Sequence, residues 1–303
     1  MEKVELAPGI FHLQSGSNMG LVVRYGQALL IDAGLDDDAG RRALRAVEET
    51  GATLEAVFIT HAHADHFGGA QFLQRRLGVP LYAPRLEAAM MENPIIEPLY
   101  LFGGAAPIKE LRSKFTLAKP CAVNQTVEAG ALEIGPFQID VVPLPGHAPN
   151  QVGLAIGDSA GHDVLFCADA VFPQQTIEKH KVLFCVDLDE TMDTIGELPA
   201  QPHGWFAPGH GPAYPAGEEI NEICAANRQR LEEVREAVYA ALEEPQETST
   251  LIQQVAKHFQ LKITTPTAYY LTRATILAAL SSLEGAGEAA AATDQNRLLW
   301  QRE

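Results

Sequence analysis

Residues 61–66 read His61-Ala62-His63-Ala64-Asp65-His66. Three imidazoles and a carboxylate within six positions supply the donor set that binds zinc, iron or manganese. The hexad follows the apolar run Ala56-Val57-Phe58-Ile59, which puts it at the C-terminal end of a strand, where α/β proteins place their chemistry. Gly68-Gly69 and a helical stretch containing Phe72, Leu73 and Leu77 come next. The spacing therefore predicts a strand-to-helix turn and not the helical ligand pair of a His-Glu-x-x-His metalloprotease. The alternative is a solvated polar loop. With ten histidines in 303 residues a chance His-x-His is ordinary, whereas the whole hexad is rare. An expression tag is excluded because the run is internal and interleaved with alanine.

Four more metal-capable residues stand after apolar runs and beside turn residues. They are Asp32 in Asp32-Ala33-Gly34, His147 in Pro145-Gly146-His147, Asp169 in Cys167-Ala168-Asp169 and His210 in Pro208-Gly209-His210-Gly211. A sheet would gather these ends along one edge. A two-metal site needs about seven or eight protein ligands, one of them a bridging carboxylate. His61, His63 and His147 can make one three-imidazole site, Asp65, His66 and His210 the other, and Asp169 can bridge them. His12, His162, His180, His203 and His258 lack such a strand-end context and are expected to be surface or capping histidines. The four cysteines show no Cys-x-x-Cys spacing and are expected to be reduced and buried, Cys167 included.

The elements that must position these residues follow from periodicity. The first 35 residues read as a β-meander with strands near 9–13, 21–25 and 28–32, the last two joined at Gly26-Gln27. A helix over 38–50 follows, and the strand at 56–59, the helical stretch after the hexad and a strand at 80–83 make a βαβ unit. Residues 85–120 form a helical insertion with Pro/Gly breaks and the aromatics Tyr100, Phe102 and Phe115. It is either a small core of its own or a lid over the metal site. Strands return at 131–134, 137–144, 152–156, 164–167 and 205–207. Past Gly217 come helices near 218–243 and 250–259. A third is capped by Thr265 with Pro266 at its first position, and a strand-like tail follows over 287–300. The expected division is a catalytic domain over 1–217 and a small, mainly helical domain over 218–303.

The composition, 47% hydrophobic and 20% charged, is that of an ordinary globular protein. Residues 1–6 lack a basic-then-apolar signal, and no apolar run approaches membrane-spanning length, so a cytoplasmic protein without a membrane partner is expected. The net charge of −17 divides into −5 over residues 218–303 and −12 over the rest. Neither part carries the basic stripe that neutralises a phosphate backbone, which disfavours nucleic acid and favours a small-molecule substrate.

On Asp32-Ala33-Gly34, the hexad, Pro145-Gly146-His147, Cys167-Ala168-Asp169 and Pro208-Gly209-His210-Gly211, in that order, the chain resembles the metallo-β-lactamase-fold hydrolases, the superfamily that includes glyoxalase II. The resemblance covers residues 8–215. It implies an α+β fold, a four-layer αββα sandwich with the metals at the edge between the sheets, and an Asp32 that orients the hexad turn without ligating. It also implies two divalent ions, zinc first, with iron or manganese as alternatives. A metal-bridged hydroxide would then attack a carbonyl or phosphorus, with Asp65 orienting the water or taking its proton. The C-terminal helices and tail resemble the winged-helix domain appended to some members, the alternative being a helical cap that packs on the core or forms a homodimer. Glyoxalase II enzymes follow the last ligand histidine with Glu-Tyr, whereas this chain has Gly211-Pro212-Ala213, which argues against a glutathione thioester. Asp169 sets the chain apart from true metallo-β-lactamases. The expected activity is hydrolysis of a small ester, thioester or lactone. The alternatives are a nuclease or phosphodiesterase of the same fold and a mononuclear iron sulfur dioxygenase.

Overall fold

The computed structural model of the protein describes residues 1–157 and 163–303. His162, expected as a surface histidine, lies outside the described residues. The first sheet follows chain order: β1 (Glu2–Ala7), β2 (Ile10–Gln14), β3 (Met19–Arg24), β4 (Gln27–Ile31), β5 (Thr53–Phe58), β6 (Leu81–Pro84) and β7 (Gln125–Val127). Tight turns make β1–β4 antiparallel, while the crossovers after β4 make β4–β7 parallel. Helix α1 (Asp37–Glu48) fills the first crossover and is capped by Asp36, whose carboxylate accepts from the Asp38 and Ala39 amides. After β5 the chain makes a short turn of helix, α2 (Ala64–Phe67), and then α3 (Ala70–Leu77). The second half of the hexad is therefore already helical. Strand β1 lies outside the expected meander; its half-exposed polar/apolar alternation marks an edge strand.

The second sheet holds β8 (Gly130–Ile134), β9 (Phe137–Pro143), β10 (Val152–Gly157), β11 (Asp163–Ala168), β12 (Trp205–Pro208) and β13 (Tyr214–Pro215), in the spatial order β13-β12-β11-β10-β9-β8. Its parallel pair is β11–β12, joined by a helical crossover. Ile10, Leu29 and Phe58 from the first sheet share one apolar cluster with Val141, Leu154 and Phe166 from the second, so the sheets pack face to face. Val47 of α1 and Leu73 of α3 cover the outer face of the first sheet. The result is the expected αββα layering.

The insertion contains α4 (Arg85–Glu92), α5 (Ile96–Leu101) and a 3₁₀ turn, Lys109–Arg112. Its three aromatics do not form the separate core that was one expectation. Tyr100 packs with Met90 and Met91 against the core of the first sheet, Phe102 meets Tyr270 edge-on at 5.3 Å, and Phe115 is 62% exposed. The insertion's helices are short, and their apolar faces find cover on the sandwich itself.

The crossover between β11 and β12 carries α6 (Gln174–His180) and α7 (Leu188–Glu197), two helices beyond those expected from periodicity. The first buries only Ile177, too little to register as a period, whereas the Leu188, Thr191 and Ile195 spacing of the second is a legible helical stripe. Residues 218–303 form α8 (Glu218–Ala240), α9 (Thr248–His258), α10 (Pro266–Gly285) and a hairpin of β14 (Ala289–Asp294) and β15 (Arg297–Arg302). Thr265 caps α10 by accepting from the Ala268 amide, and Pro266 occupies its first turn. Leu231, Leu251 and Ile276 share one apolar cluster with Leu165 and Phe206 of the second sheet, so these helices bury their apolar faces against the sandwich.

The face-to-face packing gives a direct test. Phe58 is fully buried between the sheets, so Phe58→Ala should cost about 3–5 kcal/mol in urea unfolding. Tyr25→Ala, at a 92% exposed position, should shift stability by no more than about 0.5 kcal/mol.

Candidate metal centre

All seven residues read as ligands arrive at one edge of the sandwich, each from a chain segment that has just left a strand. His61 and His63 follow β5, Asp65 and His66 lie in α2, His147 follows β9, Asp169 follows β11 and His210 follows β12. One ligating atom from each of His61, His63 and His147 falls within 4.8 Å of the others. The same holds for Asp65, His66 and His210, and for His61, His66 and Asp169. His63 Nδ1 and His147 Nε2 are 2.9 Å apart.

Hydrogen bonds on the far sides of the rings decide which nitrogens face this space. His66 Nδ1 donates to Asp32 Oδ2 at 2.8 Å, His147 Nδ1 to the Phe184 carbonyl at 3.0 Å and His210 Nδ1 to the Gly16 carbonyl at 2.9 Å. The Thr60 hydroxyl donates to Asp32 and accepts from His61 Nδ1 at 3.1 Å. In each neutral ring the remaining Nε2 carries a lone pair aimed inward. His61 Nε2, His66 Nε2 and Asp169 Oδ1 are buried there without a hydrogen-bond partner. Lone pairs turned toward one another and away from water are costly unless a cation sits among them. The buried imidazoles and carboxylates therefore fit a divalent metal site.

Asp32 is 3% exposed and also accepts from the Thr60 amide at 2.9 Å. Its φ of 62° is left-handed, a conformation that aspartate tolerates better than most residues. Ala168, at φ 47°, has no such tolerance, so the turn that aims Asp169 is held under strain. Gly209 leaves the space that the ligands occupy: a Cβ there would lie 2.6 Å from His66 Cε1 and nearer still to Asp169 Oδ1.

The electrostatics divide the histidines. Burial pushes His61 well below the usual imidazole range, with His66 and His63 adding to the effect. Burial and His147 bring His63 down to about 3, and burial lowers His147. Burial would lower His66 and His210 too, but Asp169 and its fellow carboxylates outweigh it, raising His66 well above 6.5 and His210 to about 10. Burial alone would raise Asp65 and Asp169; His66 and His210 outweigh it and hold both low.

Several contributors carry no signal in the sequence. Ser17 Oγ donates to Asp65 Oδ2 at 2.8 Å, and Asn18 Nδ2 donates to the Pro208 and Gly211 carbonyls at 3.0 and 2.7 Å. The loop between β2 and β3 thus clasps the segment that carries His210. Thr60 adjoins the hexad, yet its role emerges only through its bond to Asp32. His12 corrects an expectation: it is 1% exposed, its Nε2 donates to the Pro208 carbonyl at 3.1 Å, and burial brings it down to about 4. His180 and His258 are exposed and His203 half-buried. Cys167 lies in the apolar cluster outside the second sheet, and burial raises its thiol strongly. Among the described residues, no helix is long and apolar enough to cross a membrane.

This sandwich, with imidazoles and carboxylates converging at one edge, defines a metallohydrolase class. The chain belongs to the metallo-β-lactamase superfamily, whose family model matches residues 13–210. It is 24% identical over 202 residues to a probable metallo-hydrolase, YqgX, of Bacillus subtilis, spanning 65% of this chain and 85% of that one. It is 28% identical over 145 residues to a hydroxyacylglutathione hydrolase of Albidiferax ferrireducens, spanning 48% of this chain but only 44% of the relative. In fold it resembles the metallo-beta-lactamase family protein TTHA1429 of Thermus thermophilus, with a TM-score of 0.75 and 18% identity over 99% of this chain and 100% of that one.

Two outcomes are expected. Asp32→Asn should leave the protein folded and weaken zinc binding by about 10–100-fold in a chelator competition, because the amide keeps one acceptor oxygen for Thr60 but turns an N–H toward His66 Nδ1, which loses its acceptor. In the metal-free protein, the raised His210 contributes stability that is complete below pH 6.5 and lost as pH climbs toward about 10. The depressed Asp65 and Asp169 contribute stability that is lost as pH falls below the ordinary carboxylate range. Urea midpoints of chelated protein should therefore fall between neutral and alkaline pH, while zinc affinity rises as protons leave the site.

Proposed function

We propose that the protein hydrolyses a small ester, thioester or lactone with two divalent ions, zinc first. The observation that carries this reading is Asp169. Its Oδ1 lies 3.3 Å from His66 Nε2, and its Oδ2 lies 3.4 Å from both His147 Nε2 and His210 Nε2. One carboxylate reaches both triads, as a bridging ligand must. His61, His63 and His147 would hold one ion and Asp65, His66 and His210 the other. When bound, such a pair would lower the pKa of water and polarise a carbonyl.

The chain's own groups supply the remainder. Asp65 keeps a 30% exposed side chain at the mouth, where it can orient a water and accept its proton. Phe172 stacks on His210, and Phe184 meets His63 and His147 edge-on. These rings exclude bulk water and form an apolar wall suited to an acyl group. The hydroxyacylglutathione hydrolase relative supports thioester chemistry, while Gly211-Pro212-Ala213 after His210 favours a substrate other than a glutathione thioester. In this reading residues 1–217 are the catalytic unit and residues 218–303 brace it. Thr275 Oγ1 of α10 donates to the Leu183 carbonyl at 3.1 Å and accepts from the Cys185 amide at 3.3 Å, on either side of the Phe184 that holds His147.

Elemental analysis should find two ions per chain, and a panel of esters, thioesters, lactones and phosphodiesters should show turnover of the carboxylic substrates. His61→Ala should abolish that turnover. One iron per chain with oxygen consumed on a persulfide would replace this reading with a dioxygenase.

A further inference from the structure

The three-imidazole triad is assembled from two segments far apart in the chain. His61 and His63 follow β5, and His147 follows β9. Their ligating atoms fall within 4.8 Å of one another, so a small shift of either segment would pull the triad apart. Glu87, in the first turn of α4, joins the two segments. It is fully buried. Its Oε2 accepts from the amide of Ala62, the residue between the two hexad histidines, at 2.7 Å. Its Oε1 accepts from the amide of Asn150, in the turn that follows His147, at 2.8 Å. Asn150 returns the contact. Its Oδ1 accepts at 3.4 Å from the Leu86 amide, one of the first-turn donors that a helix cannot satisfy itself.

The base of this staple is firm. Ala88, Met90 and Met91 of α4 pack in the apolar cluster that covers the first sheet, so the Glu87 carboxyl is held in place from its own helix. Burying a carboxyl is costly unless its oxygens are paired, and here a backbone donor meets each of them. Burial raises the Glu87 carboxyl, and the two amides oppose that shift. The other triad has anchors of its own. Ser17 holds Asp65, Asp32 holds His66 and the Gly16 carbonyl holds His210. Among the described residues, the hydrogen bonds of Glu87 reach only the two segments that carry His61, His63 and His147.

We propose that Glu87 is a positioning residue for the ion held by His61, His63 and His147. It fixes the hexad turn against the turn after His147 and so sets the spacing of the three imidazoles. It acts through the backbone and not as a ligand. The inference rests on the proposed division of the ligands between two ions. A glutamine at this position keeps one acceptor oxygen and turns an NH2 group toward the second backbone N–H. One arm of the staple then opens, while side-chain size and burial stay the same.

The test is competition of the zinc-loaded full chain against a graded series of chelators, which reads the affinity of each ion. The ion that His147→Ala weakens more is the one of the three-imidazole triad. Glu87→Gln should weaken that same ion by about tenfold or more and the other by less than about threefold. A staple that served the fold alone would lower the melting temperature of the chelated protein without separating the two ions. Equal weakening of both ions, weakening of the other ion alone, or no weakening of either would overturn the inference. Should Glu87→Gln fail to fold, Glu87→Asp, shorter by one methylene and unable to reach both amides, is read by the same rule. Should the wild-type chain take up one ion only, the two-ion reading falls and Glu87 is judged on that ion. A loss of about tenfold or more then supports the positioning role, and an unchanged affinity overturns it.

Discussion

The carboxylate of Asp32 is the constraint on which the metal edge depends. It sits at the end of β4, almost fully buried, and takes hydrogen bonds from the Thr60 amide, the Thr60 hydroxyl and His66 Nδ1. Those bonds join β4, the end of β5 and helix α2 at one point. They also set the tautomer of His66 directly and that of His61 through Thr60. Without an acceptor in this place, two imidazoles would be free to rotate and to present N–H groups where lone pairs are needed. A left-handed backbone at Asp32 is part of the cost of holding it there.

The rest of the centre is built on the same plan from different parts of the chain. Backbone carbonyls of Phe184 and Gly16 set His147 and His210, so each inward nitrogen is fixed by an outward bond. Those carbonyls are themselves anchored. Thr275 brackets Phe184 from α10, and Asn18 ties the loop that contains Gly16 to the end of β12. Distant helices and loops thus bear on ring orientation at the edge, although none of them supplies a ligand. The strong opposing shifts of the histidines and aspartates are the electrostatic face of the same design. With no metal, protons on His66 and His210 meet the demand for positive charge that the carboxylates create.

Segments that supply no candidate ligand also line the site. Phe172 and Phe184 give the site an apolar side. Met90, Met91 and Tyr100 of the insertion pack on the first sheet's core. Contact between Phe102 and Tyr270, and the bond from Thr267 to the Glu110 carbonyl, join it to α10.

The turns that bring the candidate ligands together were legible because each couples a short apolar run to a glycine, an aspartate or a histidine. That pattern is local and survives in one dimension. The meander, the βαβ unit, the Thr265-Pro266 helix start and the terminal hairpin were legible for the same reason. Helix α6 was not, since one buried residue makes no period. The partners of the ligands were not either. Ser17, Thr60, Glu87 and Phe184 are ordinary residues in ordinary contexts. Their roles arise from hydrogen bonds and burial between segments far apart in the chain, and sequence spacing carries no record of such distances. Residue type and local pattern by themselves determined that this chain carries metal-binding chemistry at strand ends. Only the packing of two sheets and their covering helices decided which atoms face one another at that edge and which ring protons are turned away from it.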